Sequence, residues 1–168
     1  MYFETKRMVI RNFRATDIDE LVDYRSNELC YKYQRGQYRD RENLSRFIER
    51  TKEDKLFTDG DKRLAIALKE KDTLVGDMFL SIKNPTISIG YTISYKYHRQ
   101  GLAYELLSAL LPELHNKYPE YEIVACTDKD NLPSKNLLLK LGFKDEGYEP
   151  KIESSIFSKY KINEGGER

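Results

Sequence analysis

The stretch Ile89-Gly90-Tyr91-Thr92-Ile93-Ser94-Tyr95-Lys96-Tyr97-His98-Arg99-Gln100-Gly101-Leu102-Ala103-Tyr104-Glu105 contains a change from the spacing of a strand to the spacing of a helix. Apolar side chains alternate up to Ile93, and from Ala103 onward they recur every three or four residues. The first N–H groups of a helix have no intrahelical acceptor and lie at the positive end of the helix dipole. Gly101 lets an oxygen approach its N–H closely, and Arg99 adds a cation, so this junction predicts a phosphate site.

Two common phosphate-binding motifs do not match the junction. It lacks the Gly-Lys-Ser/Thr end of a P-loop and the three glycines of a dinucleotide fingerprint. Two other interpretations stay open at this point. Gly101 could serve only to turn the chain into the helix, or an unrelated nucleotide-binding domain could use the same helix terminus.

The composition predicts one globular domain that spans residues 1–168. The 29 Lys and Arg residues nearly balance the 28 Asp and Glu residues. This balance argues against a nucleic-acid partner, because such modules carry a concentrated basic face. No run of roughly 18 or more apolar residues occurs, which predicts no membrane span. The N-terminal residues lack the apolar core of a signal peptide, so we expect a cytoplasmic protein.

The two cysteines, Cys30 and Cys126, are far apart in the sequence. In a reducing compartment we expect both to be free and buried. No paired Cys/His spacing occurs, so the sequence predicts no metal site.

The periodicity predicts the element order β-α-α-β-β-β-α-β-α-β-β, an α/β (α+β) fold with a mixed, mostly antiparallel sheet flanked by helices. The strand–helix–strand unit implies one parallel pair, with ligands near the carboxyl ends of its strands. Thr16-Asp17-Ile18-Asp19 resembles a capping box, and Pro112 is expected to kink the third helix or to end it near Leu111. Predicted strands cover residues 6–13, 64–68, 74–82, 87–93, 123–126, 143–149 and 154–162, and predicted helices begin at Ile18, after Asp40, at Gly101 and after Asn131.

Two blocks of the sequence resemble the GCN5-related N-acetyltransferase (GNAT) family, and most closely its ribosomal-protein N-terminal acetyltransferases. The first block is the stretch quoted above, and the second is Asn131-x-x-Ser134-x-x-Leu137-x-x-Lys140-Leu141-Gly142-Phe143. The opening residues 5–11 also fit, so the resemblance covers nearly the whole chain. It implies a GNAT-like domain that moves an acetyl group directly from acetyl-CoA to a primary amine, either a protein N-terminal α-amine or a small-molecule amine.

The resemblance also implies a set of residues that bind coenzyme A. The pantetheine arm would lie between the strand that ends near Ile93 and the parallel strand at residues 123–127, and its amides would pair with backbone groups of that first strand. The pyrophosphate would meet the N–H groups at the start of the following helix. The implied set is Ile93, Ser94, Tyr95, His98, Arg99, Gln100, Gly101, Leu102, Ala103, Asn131, Ser134, Leu137 and Lys140.

The catalytic residues depart from the common family pattern. In many members a tyrosine of the last helix protonates the leaving thiolate, but Leu138 occupies that position here. The resemblance makes Ser134 the candidate proton donor, although a serine early in a helix often only supports the cap. Asp128 is the candidate base for the amine, although a loop carboxylate is often only solvated. His98 stands where the family usually has Gln or Arg.

The acceptor wall of the family corresponds to the segment before the second helix. The residues predicted to bind the acceptor there are Tyr31, Tyr33, Arg35 and Tyr38. The resemblance makes a homodimer possible. Because the usual tyrosine is absent, a non-catalytic acyl-CoA sensor or scaffold of the same fold stays as the alternative function.

Overall fold

The computed structural model describes residues 3–161. Ile162, predicted as the last residue of the final strand, and both ends of the predicted domain lie outside the described residues. The helices are α1 (Ile18–Arg25), α2 (Glu28–Tyr31), α3 (Arg41–Thr51), α4 (Leu102–Lys117) and α5 (Leu132–Lys140). The strands are β1 (Phe3–Glu4), β2 (Met8–Arg11), β3 (Gly60–Leu68), β4 (Leu74–Lys83), β5 (Thr86–Ile93), β6 (Glu122–Thr127), β7 (Lys144–Glu149) and β8 (Ser154–Lys159). The predicted order is confirmed, with the short elements β1 and α2 added.

The strands form one mixed sheet in the order β1-β2-β3-β4-β5-β6-β8-β7. Strands β5 and β6 are parallel, as predicted from the unit β5-α4-β6, and the other neighbours are antiparallel. The parallel pairing ends at the pair Ile89 and Ala125. Residues 90–93 of β5 continue along β4 without a partner on the β6 side. The sheet therefore opens at the carboxyl ends of these two strands.

Helices cover both faces of the sheet, and each face has its own apolar cluster. The apolar stripe of α4, which includes Leu106, Leu110 and Leu114, packs in one cluster with the side chains Leu64 and Ile66 of β3. The opposite face packs helices α1 and α3 around residues such as Leu21, Leu44 and Phe47. The alternation of side chains along β3 explains the division, since Ala65 belongs to the second cluster while its neighbours belong to the first.

A buried ion pair links α1 to β4. The guanidinium of Arg25 lies 3.1 Å from the carboxylate of Asp77, and both side chains are 3% exposed. The phenol of Tyr24 donates a hydrogen bond to the same carboxylate. Burial and the negative charge of Asp77 raise the pKa of Tyr24 well above its ordinary value, so the phenol stays protonated and keeps donating.

The predicted capping box at Thr16 is wrong. The Asp17 carboxylate is in a bidentate ion pair with Arg11 and accepts from the N–H of Arg14, at 2.8 Å in each contact. A short 3-10 turn, Ala15–Asp17, precedes α1, and no side chain caps α1 itself. Asp19, whose carboxylate the local spacing had assigned to the helix start, pairs instead with Arg41 at the start of α3, at 2.6 Å.

The structure excludes one of the two outcomes expected at Pro112 and corrects the burial expected of Cys126. Helix α4 does not end near Leu111 but runs through Pro112 to Lys117. Pro112 and Ser108 are both exposed, so water can satisfy the Ser108 carbonyl that loses its helical donor. Cys126 is exposed rather than buried, because its side of β6 faces the opening of the sheet, whereas Cys30 is buried as expected; both are free.

No helix within residues 3–161 combines the length and the apolar character that crossing a membrane requires. The same described part of the chain contains no cluster of three or more His, Cys, Asp or Glu side chains arranged to hold a metal ion.

Candidate functional site

A cavity of about 790 Å³ lies where β5 and β6 separate. Residues 89–93 form one wall and residues 125–128 form the other. The cavity continues over the first turn of α4 and the first turn of α5. Its volume falls within the range of about 300–1,000 Å³ that small-molecule sites occupy.

The start of α4 forms a backbone cradle at one end of the cavity. Arg99 and Gly101 both have left-handed backbone conformations, with φ of 62° and 74°. Such residues turn successive N–H groups toward a common point, which makes a concave anion site. Gly101 is the N-cap of α4 and no side chain caps the helix start, so the first N–H groups stay available. Arg99, Gly101, Leu102 and Ala103 lie on the cavity wall, and Gln100 does not.

Arg7 is a second cation beside this cradle, and sequence reasoning missed it. Its Nη2 lies 3.8 Å from the point where a Cβ on Gly101 would be. The Glu105 carboxylate holds it in place, with Arg7 Nε 2.7 Å from Oε1 and the Arg7 N–H 2.9 Å from Oε2. Burial raises the pKa of Glu105, but hydrogen bonds from Thr5 and Arg7 outweigh burial and leave this pKa below its ordinary value. The pair is 98 residues apart, so no local pattern could have indicated it.

The end of β5 is held by contacts within the protein. The Ile93 carbonyl lies on the cavity wall and accepts from His98 Nε2 at 2.8 Å. His98 is exposed and lines the cavity, so its ring supports the loop that leads to α4. Ser94 is fully buried, and its N–H donates to the Val75 carbonyl. Neither Ser94 nor Tyr95 lies on the cavity wall.

The predicted proton donor meets an unpredicted phenol inside the cavity. Ser134 Oγ lies 3.4 Å from the hydroxyl of Tyr91 on β5. The N–H of Ser134 donates to Asn131 Oδ1 at 3.3 Å, so Asn131 caps α5 and fixes the Ser134 backbone. Burial raises the pKa of Tyr91, and the contact with Ser134 only partly opposes this rise, so the phenol is neutral at physiological pH. Leu138, which stands where the resemblance would place a tyrosine, is 1% exposed. The phenol in this cavity comes instead from Tyr91 on β5.

Tyr91 could have been found from the sequence only in part. Its alternation with Ile89 and Ile93 predicts a shared face of β5. The position of the α5 start opposite that face depends on the sheet order, which alternation does not determine.

Asp128, the predicted base, is in an ion pair. Arg35 Nη2 lies 3.1 Å from Asp128 Oδ2, and Arg35 Nη1 donates to the Ile152 carbonyl at 3.1 Å. Arg35 thereby joins the segment before α3 to the end of β6 and the start of β8. An amine that approaches Asp128 competes with this guanidinium. Tyr33, Arg35 and Asp128 all lie on the cavity wall.

Of the remaining predicted residues, Tyr31, Tyr38 and Lys140 lie off the wall of this cavity. Tyr31 stacks on the guanidinium of Arg39, with 4.2 Å between Cζ and the ring centre. Tyr38 lines a separate cavity on the side of α1 and α3. Lys140 Nζ lies 4.2 Å from the ring centre of Tyr104, whose side chain is on the wall, and Asn131 and Leu137 line the cavity directly.

The chemistry of this cavity fits acetyl-CoA. One end offers a backbone cradle and two arginines for phosphates. The middle is bordered by segments of β5 and β6 that do not pair with each other, suited to the amides of a pantetheine arm. The other end offers the hydroxyls of Tyr91 and Ser134 near the α5 start. Two small residues, Gly90 and Ala125, line the cavity between its ends.

Known proteins share both sequence and fold with this chain. An N-acetyltransferase of uncharacterised function from Bacillus subtilis, YnaD, is 26% identical over 150 residues, 88% of this chain and 85% of the relative. A GNAT-family acetyltransferase from Bacillus anthracis superposes with a TM-score of 0.82 at 22% identity, over 95% of this chain and 98% of the other. A structure described as a putative ribosomal-protein-serine acetyltransferase from Vibrio cholerae gives a TM-score of 0.79 at 22% identity, over 96% and 98%.

The family model for the acetyltransferase (GNAT) domain matches residues 7–144. This match includes the α4 cradle, the cavity walls of β5 and β6, and the whole of α5. The chain therefore belongs to the GNAT family and is an acetyltransferase that uses acetyl-CoA.

Proposed function

We propose that this enzyme transfers the acetyl group directly to the N-terminal α-amine of a protein or peptide, without a covalent acetyl-enzyme. The observation that carries the proposal is one continuous cavity, with an anion cradle at α4 and a proton-bearing pair, Tyr91 and Ser134, at α5. The resemblance to ribosomal-protein acetyltransferases and the fold shared with the protein from Vibrio cholerae support this acceptor class.

The acceptor end suits a peptide terminus. Arg35 and Asp128 place a cation and an anion side by side on the wall. An α-ammonium group fits the carboxylate of Asp128, and the first peptide carbonyl fits the guanidinium of Arg35. Tyr33 adds an aromatic wall beside them. A small amine without a neighbouring carbonyl would use only the carboxylate, so the pair favours a peptide-like acceptor.

Catalysis requires that the amine lose a proton and that the leaving sulfur gain one. Bound acetyl-CoA supplies an activated thioester carbonyl. Tyr91 holds a proton at its hydroxyl, and Ser134 Oγ, 3.4 Å away, passes a proton to the leaving sulfur and recovers one from Tyr91. Water that enters the cavity as the products leave returns the proton to Tyr91. Asp128 orients the amine and accepts its proton in competition with Arg35. Holding the amine and thioester together contributes further, up to about 7–11 kcal/mol in well-oriented reactions.

The experiment is an acceptor screen that measures release of the coenzyme A thiol. The panel contains peptides with free and blocked N-termini, polyamines and aminoglycosides. We expect turnover with free α-amine peptides and none with the same peptides blocked. Turnover confined to small amines would reject the α-amine acceptor, and tight coenzyme binding without turnover on any acceptor would favour the sensor function.

Two variants test the proton pair. Because a positioned proton donor contributes about 10²–10⁴-fold, Ser134→Ala should lower kcat by about that factor while coenzyme affinity stays nearly constant. In the wild-type enzyme, Tyr91→Phe should lower kcat by a smaller factor than Ser134→Ala does. In the Ser134→Ala background it should have almost no effect, because Tyr91 acts through Ser134. Tyr33→Phe is the matched control, because it removes a phenol hydroxyl from the wall of the same cavity. Independent, additive losses from Ser134 and Tyr91 would contradict the relay.

A further inference from the structure

A second cavity lies on the face of the sheet that carries α1 and α3. Its volume is about 360 Å³, and the walls come from the end of α1, from α3, from β3 and β4, and from residues 36–38. The acetyl-transfer chemistry described above uses none of these walls. The lining residues that matter here are Arg25, Arg50, Arg63, Gln37, Tyr38 and Phe79.

Three guanidinium groups surround this cavity, and two of them lack a counterion. Arg25 is in the ion pair with Asp77. Among residues 3–161, neither Arg50 nor Arg63 has a carboxylate within 4.0 Å, and neither guanidinium donates a hydrogen bond. Arg63 lies over the Phe79 ring, with Cζ 4.3 Å from its centre, which fixes the plane of the guanidinium.

The carboxylates on the same walls are engaged elsewhere. Asp54 accepts from the backbone N–H of Arg63 at 2.8 Å. Asp61 accepts from Ser81 and pairs with Lys83. Burial lowers the pKa of Arg63, and Arg25 and Arg50 lower it further, although Asp77 and Asp61 act in the opposite direction. The cavity therefore holds cationic charge that the protein does not neutralise at the guanidinium groups themselves.

Gln37 contributes an independent sign of a missing partner. Its Oε1 is buried and has no hydrogen-bond donor among the described residues. Leaving a buried amide oxygen without a donor is unfavourable, so a ligand whose donor reaches Gln37 after a shift of this side chain is favoured. The Nε2 of Gln37 lies 3.4 Å from Oε1 of Gln34, and Gln34 lines the main cavity.

We propose that this cavity is a second ligand site, for a small carboxylate or phosphate compound with an adjacent hydrogen-bond donor. The oxyanion pairs with Arg50 and Arg63, and the donor meets Gln37. The segment 32–38 connects the two cavities, because residues 32–35 line the main cavity and residues 36–38 line the second. Occupancy of the second site therefore changes the position of Arg35, and with it the affinity for the acceptor.

Binding is tested on the full chain saturated with coenzyme A, which keeps anions away from the α4 cradle. L-malate and inorganic phosphate are the probes, titrated by calorimetry and by thermal unfolding at constant ionic strength. We expect saturable binding, a Tm that rises with probe concentration, and tighter binding of L-malate than of succinate, which lacks the hydroxyl donor. Absence of saturable binding, or loss of binding whenever coenzyme A is present, overturns the site.

Variants localise the binding. Arg50→Met and Arg63→Met keep the aliphatic stems and remove the cations, and each should weaken probe binding by about tenfold or more, as expected for loss of a charge-assisted pair. Arg46→Met is the matched control, since Arg46 lies on the same helix but pairs with Glu42 at the surface. Equal effects of Arg46→Met and Arg50→Met overturn the assignment. Should Arg63→Met not fold, Arg50→Met decides, because within residues 3–161 the Arg50 guanidinium contacts the Phe47 ring and pairs with no carboxylate.

The coupling has a separate test. With an acceptor peptide identified by thiol release, saturating L-malate should change the acceptor KM, and Arg50→Met should abolish that change while leaving activity without malate unaltered. An unchanged KM at demonstrated malate occupancy overturns the coupling. The binding measurements need no acceptor, so they stand or fail independently of the proposed acetyl transfer.

Discussion

Replacing Asp77 by Asn should destabilise the protein strongly. The change is nearly isosteric and removes only the charge of a carboxylate that pairs with Arg25 and accepts from the phenol of Tyr24. Both partners of the ion pair are 3% exposed, so water cannot replace the lost counterion. Breaking such a pair from one side costs about 3–5 kcal/mol, because an uncompensated charge stays buried.

The corresponding change in Tm follows from the size of the chain. For a domain of 150–250 residues, each kcal/mol shifts Tm by about 2–4 °C, so Asp77→Asn should lower Tm by about 6–20 °C. The assay is equilibrium urea unfolding followed by far-UV circular dichroism, with calorimetry for Tm. Glu42→Gln is the control, because it neutralises an exposed partner of Arg46 and should cost about 0.5 kcal/mol or less.

A double variant tests the reasoning more sharply. Arg25→Met with Asp77→Leu removes both charges together, and replacing a whole buried pair with apolar groups is often neutral or stabilising. Both this double variant and Asp77→Asn are compared in a Tyr24→Phe background, so that no buried phenol is left without an acceptor. We expect the double variant to be more stable than Asp77→Asn alone. A loss below about 1 kcal/mol for Asp77→Asn, or a double variant less stable than that single variant, would refute the argument that the unpaired charge dominates.

Three further predictions concern separate parts of the fold. Gly101→Ala should cost about 1–2 kcal/mol of stability in urea unfolding, because its φ of 74° disfavours a Cβ. Calorimetry should also show that this variant binds coenzyme A more weakly. Gly90→Ala is the control and should lose less stability, because its Cβ would lie 3.9 Å from Phe79. Arg7→Met should weaken coenzyme A binding and spare binding of pantetheine, which lacks the diphosphate; equal losses for both ligands in calorimetry would contradict a phosphate contact. Burial, and then the charge of Lys159, lower the pKa of His115 below its ordinary value of 6.5. The unfolded chain therefore takes up a proton at a higher pH than the folded protein does. Stability should fall as pH drops through 6.5 toward the pKa of the folded state. Urea midpoints measured between pH 7.5 and 5 should show a flatter profile for His115→Gln, and an unchanged slope would exclude His115 as the cause.

Periodicity predicted most of the fold, because alternation and helical spacing follow directly from which faces are buried. The β5–α4 junction was recognisable since its signal, a glycine at a helix start, is local. The sequence left two outcomes open at Pro112, because whether a helix continues past a proline depends on whether the freed carbonyl faces water. Cys126 was misjudged because an apolar run does not reveal that one side of β6 borders a cavity.

The sequence indicated many residues that line the cavity, among them Arg35 and Asp128, but not the contacts between distant ones. Ser134 and the residues at the start of α4 came from compact motifs. Arg7 lies beside Gly101, and Tyr91 lines the cavity, through contacts set by strand order. These contacts span 98 residues in the pair Arg7–Glu105 and 43 in the pair Tyr91–Ser134. The ion pair that joins Arg35 to Asp128 is likewise a long-range contact, across 93 residues.

The early end of the pairing between Ile89 and Ala125 gives the sheet two edges inside the molecule rather than at its rim. An edge recognises backbone amides and carbonyls, whatever side chains its residues carry. A ligand that itself carries amides can therefore complete the sheet as a strand would. Amide hydrogen exchange in residues 90–93 and 126–127 should then slow when coenzyme A binds, and substitutions of side chains along these edges should matter little for affinity as long as the strand register is kept.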